Sequence, residues 1–319
     1  MFAQDLSFGQ IHIDVARNSI DDFNPFHDKR KWKHIRNNPF GGPVVLGFQL
    51  VCLLEYQIKL FRQQHEEPEL IRARNLRYSN YQLTFASVVR AGDPVSVEIK
   101  NSQHRDGANP MISNRVAVRK AAGIVLVGHK TESRMPLFFS ELSDPMPEDL
   151  SVLPDRSYMT DGGFFLKRKF MNTGNAKNFL SGSLVDQADY FDELNDKVHF
   201  PETFPTALIS CALLERAHKE QQDFFRAPMV YTAHEISVDR AQVARLRSND
   251  VLHILVSPAS ASVRSKGLGK PGVNQQIFQC RGLTRGHNWL FCANIYMAFL
   301  SEFNMDTVTN VRSGDVGSQ

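Results

Sequence analysis

The densest run of apolar residues lies between Val44 and Leu54, where only Gln49 interrupts it. If this run forms a helix of 3.6 residues per turn, apolar residues lie on almost every side of it, which is typical of a buried helix rather than an amphipathic one. Residues 8–17 alternate between apolar and polar and predict a first strand, followed by a turn and a short helix. Downstream, runs bounded by Gly, Asp and Asn predict a meander of strands, which makes the pattern α+β. These strands are predicted over residues 75–81, 84–89, 95–101, 112–119 and 124–131.

The same plan repeats in the second half of the chain. Pro205 opens a second apolar helix 162 residues after Pro43, and Asp250 stands in a turn-and-strand segment 157 residues after Asp93. Between the two copies, residues 140–163 contain three prolines and read as a linker. Two further strands, over 275–281 and 289–300, would close the second sheet.

The predicted boundaries follow from this repeat. We expect one unit over residues 1–139, the linker over 140–163, a second unit over 164–304, and a flexible tail over 305–319 that carries little apolar material. A chain of 319 residues is long enough for two such units.

Composition narrows the class of protein. With 42% hydrophobic and 22% charged residues, the chain can bury a sizeable core. No apolar run approaches the ~20 residues of a membrane helix, and the N-terminus lacks a basic segment followed by an apolar one, so we expect a cytoplasmic protein without membrane contact. The net charge of +3 is too small to indicate nucleic acid as a partner.

The four cysteines show no Cys-x-x-Cys spacing and stand mostly among apolar residues. Buried free thiols are therefore expected instead of metal ligands or disulfides. These cysteines are Cys52, Cys211, Cys280 and Cys292.

Candidate chemistry is concentrated in the turn Asp21–His27. Asn24-Pro25 forces a turn between Asp22 and His27, so the carboxylate and the imidazole can converge on one point instead of following one helix. Such a pair is suited to moving two protons in one reaction. The alternative is ordinary turn chemistry, in which Asp22 or Asn24 bonds nearby backbone.

The order of motifs favours the catalytic interpretation. After the turn come Gly41–Phe48, which lead into the buried helix, and Leu83–Val97, with a strand, a Gly-Asp turn and another strand. This order, over residues 8–137, resembles the MaoC-like family of (R)-specific enoyl-thioester hydratases and 3-hydroxyacyl dehydratases. The resemblance implies a double hot-dog fold, in which an antiparallel sheet wraps a long central helix in each of two units.

The resemblance also implies the site residues. It makes Asp22 and His27 the catalytic pair and Gly47 the helix-entry glycine, whose backbone N–H would bind the thioester oxygen. Substrate contacts are expected from Asn24, Pro43 and Leu46, and many family members have His where this chain has Leu46.

The implied activity is hydration of an enoyl thioester, or the reverse dehydration, on coenzyme A or acyl carrier protein. It requires no metal and no redox cofactor, and a homodimer is compatible with it. Two alternatives stay open, which are a hot-dog acyl thioesterase and a non-catalytic acyl-binding protein.

The second copy departs from this pattern. Only two residues separate Asp196 from His199, no Asn-Pro stands between them, and Ile209 replaces the helix-entry glycine. His199-Phe-Pro resembles a second dehydratase family that pairs such a His with an acid on the central helix, here Glu215, but the spacing of 16 residues is long. The sequence favours a degenerate copy that shapes the site of the first.

A basic segment follows the turn. Five of the eight residues from Lys29 to Arg36 are Lys or Arg. A solvated surface is one interpretation; the other is that Lys31 and Lys33 lie beside the mouth of the acyl tunnel and contact the anionic carrier.

Overall fold

The computed structural model describes residues 6–138, 149–159, 163–262, 273–284 and 288–303; half of the predicted linker and all of the predicted tail over 305–319 lie outside them. The helices are α1 Gln10–Ser19, α2 Gly47–Gln64, α3 Glu67–Ala73, α4 Thr173–Gly182, α5 Thr203–Ala207, α6 Ile209–Lys219 and α7 Arg240–Val243. Short 3₁₀ turns cover Pro25–His27, Lys31–His34, Gln187–Asp189, Glu193–Asn195 and Leu300–Phe303.

The strands of the first half are β1 Leu6–Ser7, β2 Tyr78–Phe85, β3 Pro94–Ile99, β4 Gln103–Arg105, β5 Met111–Lys120 and β6 Gly123–Ser133. Those of the second half are β7 Ser157–Tyr158, β8 Phe165–Phe170, β9 Phe191–Asp192, β10 Lys197–Val198, β11 Met229–Asp239, β12 Val251–Val256, β13 Ser260–Ser262, β14 Gln275–Thr284 and β15 Trp289–Phe299. β7 falls within the predicted linker and pairs with β8.

The two halves share one antiparallel sheet. Its order is β1-β3-β5-β6-β2 in the first half and β11-β15-β14-β12-β8-β7 in the second, and β2 pairs with β11 at the centre. Starting from that central pair, each half runs outward through equivalent strands, so the fold repeats as the sequence predicted. Each half wraps a buried helix, α2 in the first and α5 with α6 in the second.

The same turn chemistry appears in both copies. Asp93 accepts a hydrogen bond from the N–H of Arg90 at 3.0 Å, and Asp250 accepts one from the N–H of Arg247 at 2.7 Å. Each carboxylate closes the turn that leads into β3 or β12. The predicted repeat of this segment is therefore present in the structure.

The predicted strand over residues 8–17 is wrong, because residues 10–19 form the helix α1. Ile13, Ala16 and Ile20 are fully buried, which is helical spacing, whereas Ile11 is exposed. The buried face packs on α4, where a Cβ atom on Gly182 would come within 2.8 Å of Ala16. The helix thus depends on a contact between the halves, which alternation within the segment does not reveal.

Two other elements differ in extent. The central helix begins at Gly47 and continues to Gln64, ten residues beyond the predicted end. Strands predicted over 75–81 and 84–89 are one strand, β2, because residues 82 and 83 keep their pairing with β6 on one side and β11 on the other.

The interior of the described part of the chain contains the four cysteines, all buried with free thiols as predicted. In the same described ranges, no helix combines the length and the apolar character needed to cross a membrane.

Candidate active site

The turn after α1 is built by side chains that bond nearby backbone. Asp21 adopts a left-handed conformation with φ 56°, which reverses the chain after α1. Asp22 then accepts from the N–H of Asn24 at 2.8 Å through Oδ1, and Asn24 accepts from the N–H of Phe26 at 3.1 Å. Pro25 begins the 3₁₀ turn that ends at His27. Local turn chemistry therefore positions the acid and the imidazole together.

His27 is held in one orientation. Its Nδ1 lies 2.7 Å from the carbonyl oxygen of Val44, and because a carbonyl only accepts, Nδ1 carries a hydrogen. The other ring nitrogen, Nε2, points to Asp22 and lies 3.9 Å from its Oδ2. This separation is too long for a direct hydrogen bond and leaves both atoms available to a third group.

The second half supplies the remaining partner of Asp22. Ser210, in the first turn of α6, lies with its Oγ 2.6 Å from Asp22 Oδ2. The hydroxyl of Tyr231, on β11, lies 3.1 Å from the Oγ of Ser210. Burial, together with the nearby charge of Asp22, raises the pKa of Tyr231 well above its usual range, so its hydroxyl stays protonated.

A cavity of about 530 Å³ opens beside this pair. His27 and Asn24 lie in its wall, and Gly47 lies where α2 begins. Most of the remaining lining is apolar, and the cations of Arg90 and Lys120 also line it. The main apolar lining residues are Phe26, Val45, Leu50, Phe85, Val89, Met229 and Met297.

The helix α2 begins at this cavity, whose lining includes Gly47. In the first turn of a helix the backbone N–H groups have no intrahelical carbonyl to accept from them, and the helix dipole favours negative charge there. Gly47 is the first residue of α2 and has no side chain to cover its N–H. An ideal Cβ atom there would lie 3.2 Å from the rings of Phe85 and Tyr231.

The structure does not bring every predicted site residue to the cavity. Among the described residues, the lining includes His27, Asn24 and Gly47; Asp22, with 4% exposure, is not part of the lining but lies within 3.9 Å of the His27 ring. The other predicted substrate residues are not among the described residues that line the cavity. Leu46 is in the core, Pro43 bonds Ala91 through its carbonyl, and Lys31 and Lys33 are exposed on a 3₁₀ turn.

The two residues considered for a second site have different surroundings, and neither contacts the other in the described part of the chain. Glu215 is paired with Arg156 and Lys167, at 2.6 Å and 3.3 Å. His199 is exposed on the segment after β10.

Sequence reasoning missed Ser210 and Tyr231. Ser210 directly follows Ile209, the residue whose side chain marked the second helix as degenerate. A serine in an apolar helix gives no signal of its own, and its partner Asp22 stands 188 residues away. Only the packing of the two halves identifies it.

A neutral histidine supports the wall behind the cavity. His234 is fully buried, stacks on Phe48 with ring centroids 4.6 Å apart, and contacts Phe85 and Tyr231 edge-on. Burial lowers the pKa of His234 to about 3, so the ring stays uncharged. It therefore packs as an aromatic ring.

Within the described residues, no cluster of three or more His, Cys, Asp or Glu side chains could hold a metal ion. The arrangement at the cavity consists of a carboxylate and an imidazole, the N-terminus of α2 and an apolar chamber.

The sequence matches no family model and no curated protein. Solved structures do match the fold over nearly the whole chain. One is a MaoC-like dehydratase, with a TM-score of 0.53, 12% identity, and coverage of 94% of this chain and 96% of that chain. Another is a conserved hypothetical protein of Mycobacterium tuberculosis described as having a double hotdog fold, with a TM-score of 0.56, 10% identity and 94% coverage of both chains. The chain therefore has the double hot-dog fold.

Proposed function

We propose that this protein adds water across the double bond of an enoyl thioester, and catalyses the reverse dehydration of a 3-hydroxyacyl thioester. The observation that carries the proposal is the pairing of His27 Nε2 with Asp22 Oδ2, 3.9 Å apart beside an apolar cavity. Two polar atoms at this separation can both bond one water molecule.

The pair has the proton inventory that the reaction needs. Hydration requires one group to take a proton from water as its oxygen attacks Cβ, and another to give a proton to Cα. Because the Nδ1 hydrogen of His27 is committed to Val44, the exchangeable proton lies on Nε2 or on Asp22. One shared proton makes one member of the pair an acid and the other a base. After the reaction the proton lies on the other member, and its return before the next turnover restores the starting state.

The helix N-terminus completes the chemistry. As the water adds, negative charge develops on the thioester oxygen, and we assign its stabilisation to the N–H of Gly47, because the N-terminus of a helix favours negative charge. The apolar lining of the cavity then suits the acyl chain, and exclusion of water strengthens each polar contact.

The test is kinetic. Asp22→Asn and His27→Ala should each reduce hydration of crotonyl-CoA by about 10²–10⁴-fold, the range of general acid–base catalysis. Both side chains lie beside a cavity, so the folded state should persist, which circular dichroism and the thermal midpoint would check.

Thiol release from saturated acyl-CoA, measured in parallel, separates the proposal from a thioesterase. Wild-type protein that releases thiol without hydrating any enoyl-CoA or enoyl carrier protein of the tested chain lengths would refute it. Wild-type activity in either variant would refute the residue assignment.

A further inference from the structure

We infer that the second unit completes the catalytic centre, with Ser210 and Tyr231 as positioning residues that keep Asp22 ionised and aim its Oδ2 atom at His27. This inference rests on the proposed function, since it assigns Asp22 to proton transfer. The unit that lacks its own acid–base turn thereby has a direct part in the reaction.

The direction of the hydrogen bonds follows from the chemistry of the groups. An ionised carboxylate only accepts, so the hydroxyl of Ser210 donates to Asp22 across 2.6 Å. Since that hydrogen is committed, the oxygen of Ser210 accepts from the hydroxyl of Tyr231, 3.1 Å away. The chain runs one way, from Tyr231 through Ser210 to Asp22.

Because the carboxylate of Asp22 is buried, its charge depends on the hydrogen-bond donors around it. The side chain of Asp22 is 2% exposed, so water cannot solvate its charge from the surface. Among the described residues, its carboxylate oxygens receive hydrogen bonds from the N–H of Asn24 and the hydroxyl of Ser210. Lys169, the nearby buried cation, bonds Asp21 instead. Hydrogen bonding to the charged form of a carboxyl group favours that form, and Ser210 donates one of these two hydrogen bonds.

The second unit also fixes the position of this chain. Tyr231 lies where β11 shifts its register against β15, between Tyr231 and Ala233. Such an irregularity turns a side chain away from strict alternation, and here the ring of Tyr231 lies in the cavity wall against Phe48. Ser210 is held in the first turn of α6. Neither residue can move without disturbing a packed element.

The experiment compares Ser210→Ala and Tyr231→Phe with matched controls. Ser237→Ala removes another buried hydroxyl of the second unit, one that donates to Asn80 at 2.7 Å. Tyr81→Phe removes another buried phenol hydroxyl. Neither control residue lies in the proposed site.

The first readout does not require activity. The titration of the Asp22 carboxyl carbon is followed by NMR with ¹³C-labelled aspartate, and the signal is assigned by its loss in Asp22→Asn. Ser210→Ala should move the titration midpoint up by about one pH unit or more, because it removes a donor to the charged form. Tyr231→Phe should move it less, because it acts through Ser210, and the controls should not move it.

The second readout is the pH profile of kcat/KM for hydration. In Ser210→Ala the acidic limb should move to higher pH, and kcat/KM at neutral pH should fall about tenfold. Ser210→Thr keeps the hydroxyl and should restore the limb.

The outcomes separate the two claims. Equal Asp22 titration in Ser210→Ala and Ser237→Ala would overturn the inference and reduce Ser210 to packing. A shifted titration in a protein without hydratase or dehydratase activity would leave the hydrogen-bond chain standing and overturn the proposed function.

Discussion

A methyl group on Gly47 tests whether the start of α2 holds the substrate carbonyl. In Gly47→Ala the new Cβ atom would lie 3.2 Å from Phe85 Cζ and 3.2 Å from Tyr231 Cδ2. Carbon atoms pack best at about 3.5–4.0 Å, so both rings would shift by a few tenths of an ångström. The methyl group would also add volume where α2 begins at the cavity.

The cost to stability should be small. Added volume in a packed region typically costs about 1–3 kcal/mol, and alanine regains up to about 1 kcal/mol over glycine in a helix. The free energy of unfolding should therefore change by less than about 2 kcal/mol. The cost to catalysis should be larger, because loss of one donor to a developing oxyanion costs about 10²–10³-fold.

The assay is hydration of the best enoyl thioester, with Gly42→Ala as the control. A Cβ atom on Gly42 would meet no atom within 4 Å, and this residue belongs to the same segment before α2. We expect kcat/KM to fall about 100-fold in Gly47→Ala and to stay near wild type in Gly42→Ala. Retention of more than half of the wild-type kcat/KM in Gly47→Ala would refute the proposed role of this N–H.

Three further predictions concern the carrier, the second unit and pH. Reversing Lys31 and Lys33 to Glu should raise KM for the carrier-bound substrate, leave kcat nearly unchanged, and flatten the dependence of kcat/KM on ionic strength. His199→Ala should leave kcat within about threefold of wild type, because His199 is exposed and away from the cavity. Burial, with the neighbouring charge of Glu202, raises the pKa of Glu55 to about 7. The folded state then holds a proton that the unfolded state has lost, so raising the pH from 5 to 7 should weaken stability by about 2 kcal/mol through this group.

Each of these three predictions would be contradicted by a specific result. An unchanged KM and salt slope would make the basic segment a solvated surface. A large loss of kcat in His199→Ala would indicate two working sites. Urea midpoints at pH 5 and pH 7 check the last prediction, since Glu55→Gln should show a smaller pH-induced loss of stability than wild type. An equal loss in both proteins would contradict it.

The fold was predictable where the signal lay within one segment. The run from Val44 to Leu54 is apolar on almost every side because other elements cover it. This pattern can be recognised from the segment alone, without knowledge of what packs against it. The repeat was predictable because Asp93 and Asp250 close the same turn in each copy.

The errors lie where the two halves meet. Alternation over residues 8–17 suggested a strand, but α4 covers α1, and only that contact selects Ile13 and Ala16 as the buried face. Likewise, the turn around Asp22 could be recognised from Asn24-Pro25, whereas Ser210 could not. The role of Ser210 depends on its contact with Asp22, which lies 188 positions away in the sequence. A sequence pattern relates only residues that are close along the chain, so it cannot reveal this contact.

The central pair of strands also sets a condition on synthesis. The residues that pair between β2 and β11 are far apart in the sequence; Thr84 and Ala233, for example, are 149 positions apart. At about 5–20 residues per second, the ribosome needs roughly 7–30 s to add that length. During this interval the first unit exposes the unpaired N–H and C=O groups of an edge strand, which can pair with any other free edge. Nascent chains on one messenger RNA would expose the same edge side by side, so we expect the yield of folded protein to depend on how promptly β11 follows β2 from the ribosome.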